Sequence, residues 1–344
     1  MDRGLETDIR SAGRPTLGSA GCRIAGARAG ARASRKGVTS LAHEPFRGIF
    51  PYLVSPLDED TGRVRERVLR DLVEHLIAEG VHGLSPLGST GEFAYLTLDQ
   101  RLEIVRVVVE SAAGRVPVVA GVAAHATADA VRQARSFVDL GVDGVVLILQ
   151  TLFPVSQTGI EGYFRAVAEA VECPVVIYTN PGLGTADPSI DVLERLSRVP
   201  NIRYIKDASG NTGRLLTILN RVGDRIRIFS ASAHVPLLVF QIGGVGWMAG
   251  PACLLPGECV RLYELAQRGE WEEAFALQRR LWRANELFQR YSLAACIKAG
   301  LEIQGFQVGP PVAPQEPLKP EAVAEIRQAL EMLGAGSPRS GDRG

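Results

Sequence analysis

A chain of 344 residues with 38 Lys plus Arg against 38 Asp plus Glu carries no formal net charge, which removes the broad positive field that selects nucleic acid or an anionic membrane. A hydrophobic content of 46% provides for a large core, and the length suits two domains or one α/β barrel of about 250 residues with an appendage. No apolar run approaches the roughly 18 residues needed to cross a bilayer, so a small neutral or anionic ligand is expected rather than a polyanion or a lipid surface.

The 5 cysteines, Cys22, Cys173, Cys253, Cys259 and Cys296, are odd in number and show no CxxC or zinc-ligand spacing. They are read as free or buried thiols of a reducing cytoplasm. The 5 histidines, His43, His75, His82, His125 and His234, form no HxxxH or His-rich tract, and no protein-held metal is expected.

In chain order, residues 1–45 are rich in Arg, Ala, Gly and Ser (Arg23, Arg28, Arg32, Arg35, Lys36) with few large apolar side chains. They cannot bury enough surface to fold alone and are read as a disordered extension, or as an over-long start whose true beginning is near Val38. Asp2, Glu6 and Asp8 argue against a transit peptide, and no apolar h-region follows for secretion. From residue 46 one unit repeats: a short Val- and Ile-rich run, a turn, then helical periodicity. Strands are expected at 48–55, 83–87, 116–122, 144–149, 175–179, 202–206, 226–230 and 244–248. The intervening stretches 64–79, 98–113, 128–140, 160–171, 189–198, 212–222 and 235–241 place apolar residues mostly at i, i+3 and i+4, as helices covering a parallel sheet do. Thr97 to Gln100 reads as a capping box that starts the second helix.

Eight such units in roughly 210 residues indicate a closed (β/α)8 barrel over 46–255 rather than an open doubly wound sheet. No GxGxxG follows the first strand, which counts against a dinucleotide fold. Beyond the barrel the pattern is helical only, at 258–267, 272–288, 294–304 and 320–333, with a Pro-rich connector at 309–320. The expected division is therefore a barrel, a C-terminal helical region over 256–333, and a disordered tail over 334–344.

A barrel carries its chemistry at the C-terminal ends of its strands. The sixth expected strand ends on Lys206, before the turn Asp207-Ala208-Ser209-Gly210. A lysine flanking a strand ordinarily reaches water along its apolar stem. A buried one loses its proton readily, and the neutral amine attacks carbonyls, which makes Lys206 a candidate Schiff-base former. The fifth strand ends on Tyr178, a proton carrier or a satisfied core phenol. The second runs into Gly88-Ser89-Thr90-Gly91-Glu92, whose N–H groups and hydroxyls suit a carboxylate, or which is a tight turn with Glu92 as an acceptor behind it. Attack of Lys206 on a 2-oxo acid would form an iminium that lets the neighbouring carbon lose a proton or break a C–C bond.

At these residues the chain resembles the pyruvate-dependent class I aldolases of the dihydrodipicolinate synthase and N-acetylneuraminate lyase family. The similarity spans about 46–333 and rests on Gly88 to Glu92, Tyr178-Thr179-Asn180-Pro181 and Ile205 to Gly210 at the family's spacing. The resemblance implies that Lys206 is the Schiff-base lysine and Tyr178 the proton donor and acceptor. It gives Ser89 to the proton relay and Ser89 and Thr90 to the carboxylate site, bounded by Gly88 and Gly91, with Met248 as the position whose backbone holds the pyruvyl group. It also implies a homotetramer built from tight dimers, with no metal or organic cofactor.

Departures from the family pattern bear on the second substrate. Leu183 stands five residues after Tyr178, where dihydrodipicolinate synthases place an arginine, so a genuine synthase is not expected. Leu152 replaces the second tyrosine of the relay, which shortens it. The loop Ser230-Ala231-Ser232-Ala233-His234 lacks the acidic pair with which sialic acid lyases bind sugar hydroxyls. Leu152, Phe153, Leu183 and Trp247, with Ser232, are expected to wall an apolar acceptor side that takes a less polar aldehyde. His125, at the end of the third strand, is a pocket donor or a surface-loop histidine. The expected activity is a lyase that cleaves or condenses a 2-oxo acid with pyruvate as donor or product. A 2-oxo acid dehydratase or deaminase on the same scaffold and a non-catalytic 2-oxo-acid-binding barrel are the alternatives.

Overall fold

The computed structural model describes residues 46–336 apart from 232 and 233. The Arg-rich extension over 1–45, most of the expected tail (337–344) and Ser232 therefore lie outside the described residues. Seven parallel strands, β1 (Gly48–Pro51), β2 (Val119–Ala124), β3 (Gly144–Leu149), β4 (Val175–Thr179), β5 (Ile202–Asp207), β6 (Arg227–Ser230) and β7 (Gly246–Ala249), run in the order β1-β7-β6-β5-β4-β3-β2. β1, β2, β3, β4 and β7 are buried along their whole length, as in the GVVLIL run of β3. Such continuous apolar runs, rather than alternation, are what a sheet covered on both faces requires.

The second expected strand is the principal difference. Residues 83–87 form no regular strand, yet single bridges tie Tyr52 to Ser85 and Leu84 to Val118. His82 N donates to Ile49 O, Ser85 N to Pro51 O, Val119 N to Leu84 O and Gly121 N to Pro86 O. The two edges of the sheet are thus bridged by this segment, and the sheet curls into an α/β barrel. Regular pairing fails there because Pro86 has no N–H to give and Leu87 adopts φ 63°.

The outer layer is α1 (Glu66–Ala78), α2 (Leu98–Ala112), α3 (Thr127–Asp139), α4 (Gln157–Ala168), α5 (Ile190–Leu196), α6 (Thr212–Val222) and α7 (Pro236–Gln241). Their inward stripes are the expected ones; α1, for example, buries Leu69, Leu72, Val73 and Leu76. The capping box is present at α2, where Thr97 accepts from Gln100 N and the Gln100 side chain accepts from Thr97 N. A short helix not anticipated from the sequence, α8 (Pro251–Leu254), follows β7.

After it come α9 (Pro256–Arg268), α10 (Trp271–Arg290), α11 (Leu293–Ile303) and α12 (Pro320–Met332). Residues 334 and 335 of the expected disordered tail are hydrogen-bonded: Gly334 N donates to Glu331 O, and Gln304 Nε2 to Ala335 O. The end of α10, the start of α11 and the connector to α12 reach the C-terminal mouth of the sheet, because Phe288, Gln289, Ser292 to Ala294 and Gln315 line a cavity there.

Candidate active site

That cavity, about 710 Å³, is floored by strand ends and roofed by the C-terminal helices. Parallel register places Tyr178 of β4 directly opposite Lys206 of β5, so both side chains meet at the mouth. Lys206 is 4% exposed. Its Nζ lies 4.1 Å from the centroid of the Tyr52 ring and 4.0 Å from that of Tyr178. The neighbouring carboxylate, Asp207, is held by Arg214 Nε at 2.7 Å and leaves the amine without a counter-ion among the described residues. Loss of water lowers the Lys206 pKa from 10.5 to about 7, which leaves a large neutral fraction near neutral pH.

Tyr178 Oη accepts a hydrogen bond from Asn180 Nδ2 at 2.9 Å. Asn180 Oδ1 is engaged by Gly182 N at 3.2 Å, which fixes the amide with its nitrogen toward the phenol. The phenolic proton is then left to face Ser89 Oγ, 3.5 Å away at the outer limit of a hydrogen bond, or a ligand. Burial raises the Tyr178 pKa, opposed by the contacts with Ser89 and Asn180, so the phenol carries its proton at neutral pH.

Ser89 and Thr90 occupy a single 3-10 turn, Ser89–Gly91, and both line the cavity. The turn is fixed from behind. Ser55 Oγ donates to Gly91 O at 2.7 Å, and Glu92, at φ 55°, sends its carboxylate away from the cavity. There Glu92 Oε2 meets Lys298 Nζ at 2.6 Å, and Oε1 accepts from Val312 N at 2.7 Å and Gln315 Nε2 at 2.9 Å. Lys298 also donates to Pro310 O at 2.7 Å. One buried ion pair therefore binds the hydroxyl turn to the connector that roofs the site. A Cβ on Gly91 would fall 2.8 Å from Leu53 O and one on Gly88 2.0 Å from the Tyr52 ring, so both positions require glycine for close approach.

Of the residues singled out in the sequence, Lys206, Tyr178, Ser89 and Thr90 are brought together. Gly88 and Gly91 flank the turn. Met248 is buried in β7 opposite Phe50, with its side chain outside the cavity lining. The expected apolar acceptor wall is not assembled in this way within one chain. Leu152 and Phe153 are 79% and 75% exposed, because their loop turns outward after β3. His125 is an exposed residue of the turn after β2, and Trp247 points into the core beside Ser230 on the neighbouring strand. The backbone at Leu183 lies in a 3-10 turn, Pro181–Leu183, next to the lining residue Gly182. Tyr52, Asn180 and the roof residues were missed. The first two stand at strand ends, the signal that identified Lys206; the roof gives no comparable signal.

A parallel barrel with a dehydrated lysine and a protonated phenol at adjacent strand ends defines a class I aldolase-type lyase. The profile of the dihydrodipicolinate synthetase family matches residues 45–333, and the chain belongs to that family. A relative from Phenylobacterium zucineum, named 4-hydroxy-tetrahydrodipicolinate synthase, is 35% identical over 289 residues, covering 84% of this chain and 98% of its own. One of the same name from Methanospirillum hungatei is 31% identical over 290 residues, covering 83% and 98%. The crystal structure of dihydrodipicolinate synthase from Agrobacterium tumefaciens superposes with a TM-score of 0.79 at 30% identity, covering 84% and 98%. The expectation that the chain is not a genuine synthase finds no support in these relatives, which carry the synthase name. No described helix is long and apolar enough to cross a membrane.

Proposed function

We propose that the protein joins or cleaves a C–C bond through a Schiff base between Lys206 and a pyruvate-type 2-oxo acid. The observation that carries this reading is the dry Lys206 amine beside the Tyr178 phenol, at the floor of a cavity whose turn offers Ser89 and Thr90. Neutral Nζ adds to the 2-oxo carbon and water leaves, giving an iminium. Tyr178 protonates the departing oxygen, and loss of a proton from the neighbouring carbon gives an enamine that attacks an aldehyde. The Ser89 and Thr90 hydroxyls hold the carboxylate. Counting the bridging segment 82–86 as a stave makes the scaffold an eight-fold (β/α)8 barrel, with the chemistry where such barrels carry it.

The names of the relatives put formation of 4-hydroxy-tetrahydrodipicolinate first among the reactions to assay. A less polar aldehyde is the second reading, favoured because Lys206 is the only basic side chain among the described lining residues and Leu183 stands at the arginine position. We assign the chain to the cytoplasm as a homotetramer of tight dimers. Leu152, Phe153 and Val155 expose three apolar side chains on one loop, a surface that a second copy would cover. The test is turnover: pyruvate consumption with each aldehyde, and pyruvate release from aldol and arylidene 2-oxo acids, by wild type and Lys206→Ala. Pyruvate-linked turnover lost in Lys206→Ala is expected. Absence of turnover with every substrate, or full activity of Lys206→Ala, would refute the reading, and water or ammonia loss without C–C change would move the protein to a dehydratase or deaminase.

A further inference from the structure

Tyr52 belongs to no motif that identifies the site, yet it makes the second wall of the lysine slot. It follows β1 and pairs by a single bridge with Ser85. The Lys206 amine is sandwiched, 4.1 Å from this ring and 4.0 Å from the Tyr178 ring. The ring itself is held in place, since it lies over Gly88 so closely that a Cβ there would stand 2.0 Å from its Cδ1. Its hydroxyl is buried and has no hydrogen-bond partner among the described residues, so what the position supplies is the ring.

We propose that Tyr52 is a positioning residue for Lys206: its ring closes one side of the slot, keeps water from the amine and holds it against Tyr178. This rests on Lys206 being the Schiff-base lysine.

Two opposite effects meet in the slot. An aromatic face attracts an ammonium and favours the protonated amine, by about tenfold in the protonation equilibrium. Exclusion of water favours the neutral amine, and burial carries the Lys206 pKa from 10.5 to about 7, more than a thousandfold. Dehydration therefore wins, and removing the ring must on balance favour the charged form. Among the described residues, no charge in the wall competes with this. Apart from Lys206, the titratable side chains among the described lining residues are Tyr52 and Tyr178. Burial raises the pKa of both phenols, most of all that of Tyr52, so both walls stay neutral. On the strand itself, Asp207 is turned to Arg214.

The experiment is the pH dependence of the initial rate of pyruvate adduct formation, trapped with borohydride and read by intact mass. It compares the full-length wild type with Tyr52→Phe and Tyr52→Ala. The ring hypothesis predicts that Tyr52→Phe keeps the acid limb of wild type, whereas Tyr52→Ala moves it up by at least one pH unit and slows trapping at pH 7 about tenfold or more. Tyr52→Val, whose β-branched side chain suits this extended stretch, takes the place of alanine if that variant does not fold. An acid limb within 0.3 pH unit of wild type in a folded Ala or Val variant would overturn the proposal, as would a shift in Tyr52→Phe as large as in Tyr52→Ala. If wild type itself forms no adduct at any pH, it is the Schiff-base reading that fails, which separates the two outcomes.

Discussion

Replacing Lys298 by Met removes one partner of an ion pair whose side chains are 1% and 0% exposed, and leaves the Glu92 carboxylate buried without its cation. Breaking such a pair costs about 3–5 kcal/mol, because the remaining charge has lost water and partner together. Glu92 keeps hydrogen bonds from Val312 N and Gln315 Nε2, so the low end, about 3 kcal/mol, applies. The folded body has roughly 290 residues, and an unfolding entropy near 2.1 cal/mol/K per residue turns about 3 kcal/mol into about 5 °C of Tm. The double variant Glu92→Gln/Lys298→Met leaves neither charge of this pair behind and should recover more than half of that loss. Calorimetric melts of the three proteins at one pH and concentration decide it. A Lys298→Met melt within about 1 °C of wild type, or a double variant no more stable than the single one, would refute the view that this pair locks the hydroxyl turn to the roof.

Further outcomes follow from the same geometry. Tyr178→Phe keeps the ring beside Lys206 and removes the hydroxyl that faces Ser89 and Asn180. Steady-state turnover should fall about 10²-fold or more while borohydride still traps the pyruvate adduct; unchanged turnover would take Tyr178 out of proton transfer. The Lys206 pKa falls from 10.5 to about 7 on folding, so the unfolded chain binds more protons between those values and stability rises with pH across that window. Below it both states are protonated and a penalty of about 3–5 kcal/mol stands in full. Lys206→Met should therefore raise Tm at pH 7 and little at pH 10, and an equal gain at both would contradict a dehydrated amine. Thr97→Ala removes the hydroxyl that accepts from Gln100 N at the start of α2 and leaves the backbone N–H of residue 97 to donate to the Gln100 side chain, at a cost of about 1 kcal/mol; urea unfolding would register this as a lower midpoint at unchanged m-value.

The strand ends were legible in the sequence because strands buried on both faces are continuous apolar runs, and a polar residue closing such a run stands out, as Lys206 and Tyr178 do. The helices were legible from their stripes and, at α2, from a cap written in four consecutive residues. What could not be read is what depends on barrel geometry. Residues 82–86 bridge the sheet edges without regular pairing, since Pro86 and the positive φ of Leu87 break the pattern. Tyr52 reaches Lys206 only because that curl brings the two mouths together. The roof comes from α10, α11 and the connector, which read as an appendage beyond the barrel. The apolar wall inferred from Leu152, Phe153 and Trp247 failed within one chain for a related reason: hydrophobicity says that a side chain will be covered, not by what. Trp247 is covered by the core, whereas Leu152 and Phe153 face outward.

All of the proposed chemistry depends on a covalent link between the Lys206 amine and a 2-oxo acid. Incubation of the intact protein with pyruvate and borohydride, followed by peptide mass mapping, tests it most directly. One reduced pyruvyl adduct is expected, on the peptide that carries Lys206, and none in Lys206→Ala. An unmodified Lys206 peptide after full exposure to both reagents, or an adduct on another lysine that persists in Lys206→Ala, would contradict it.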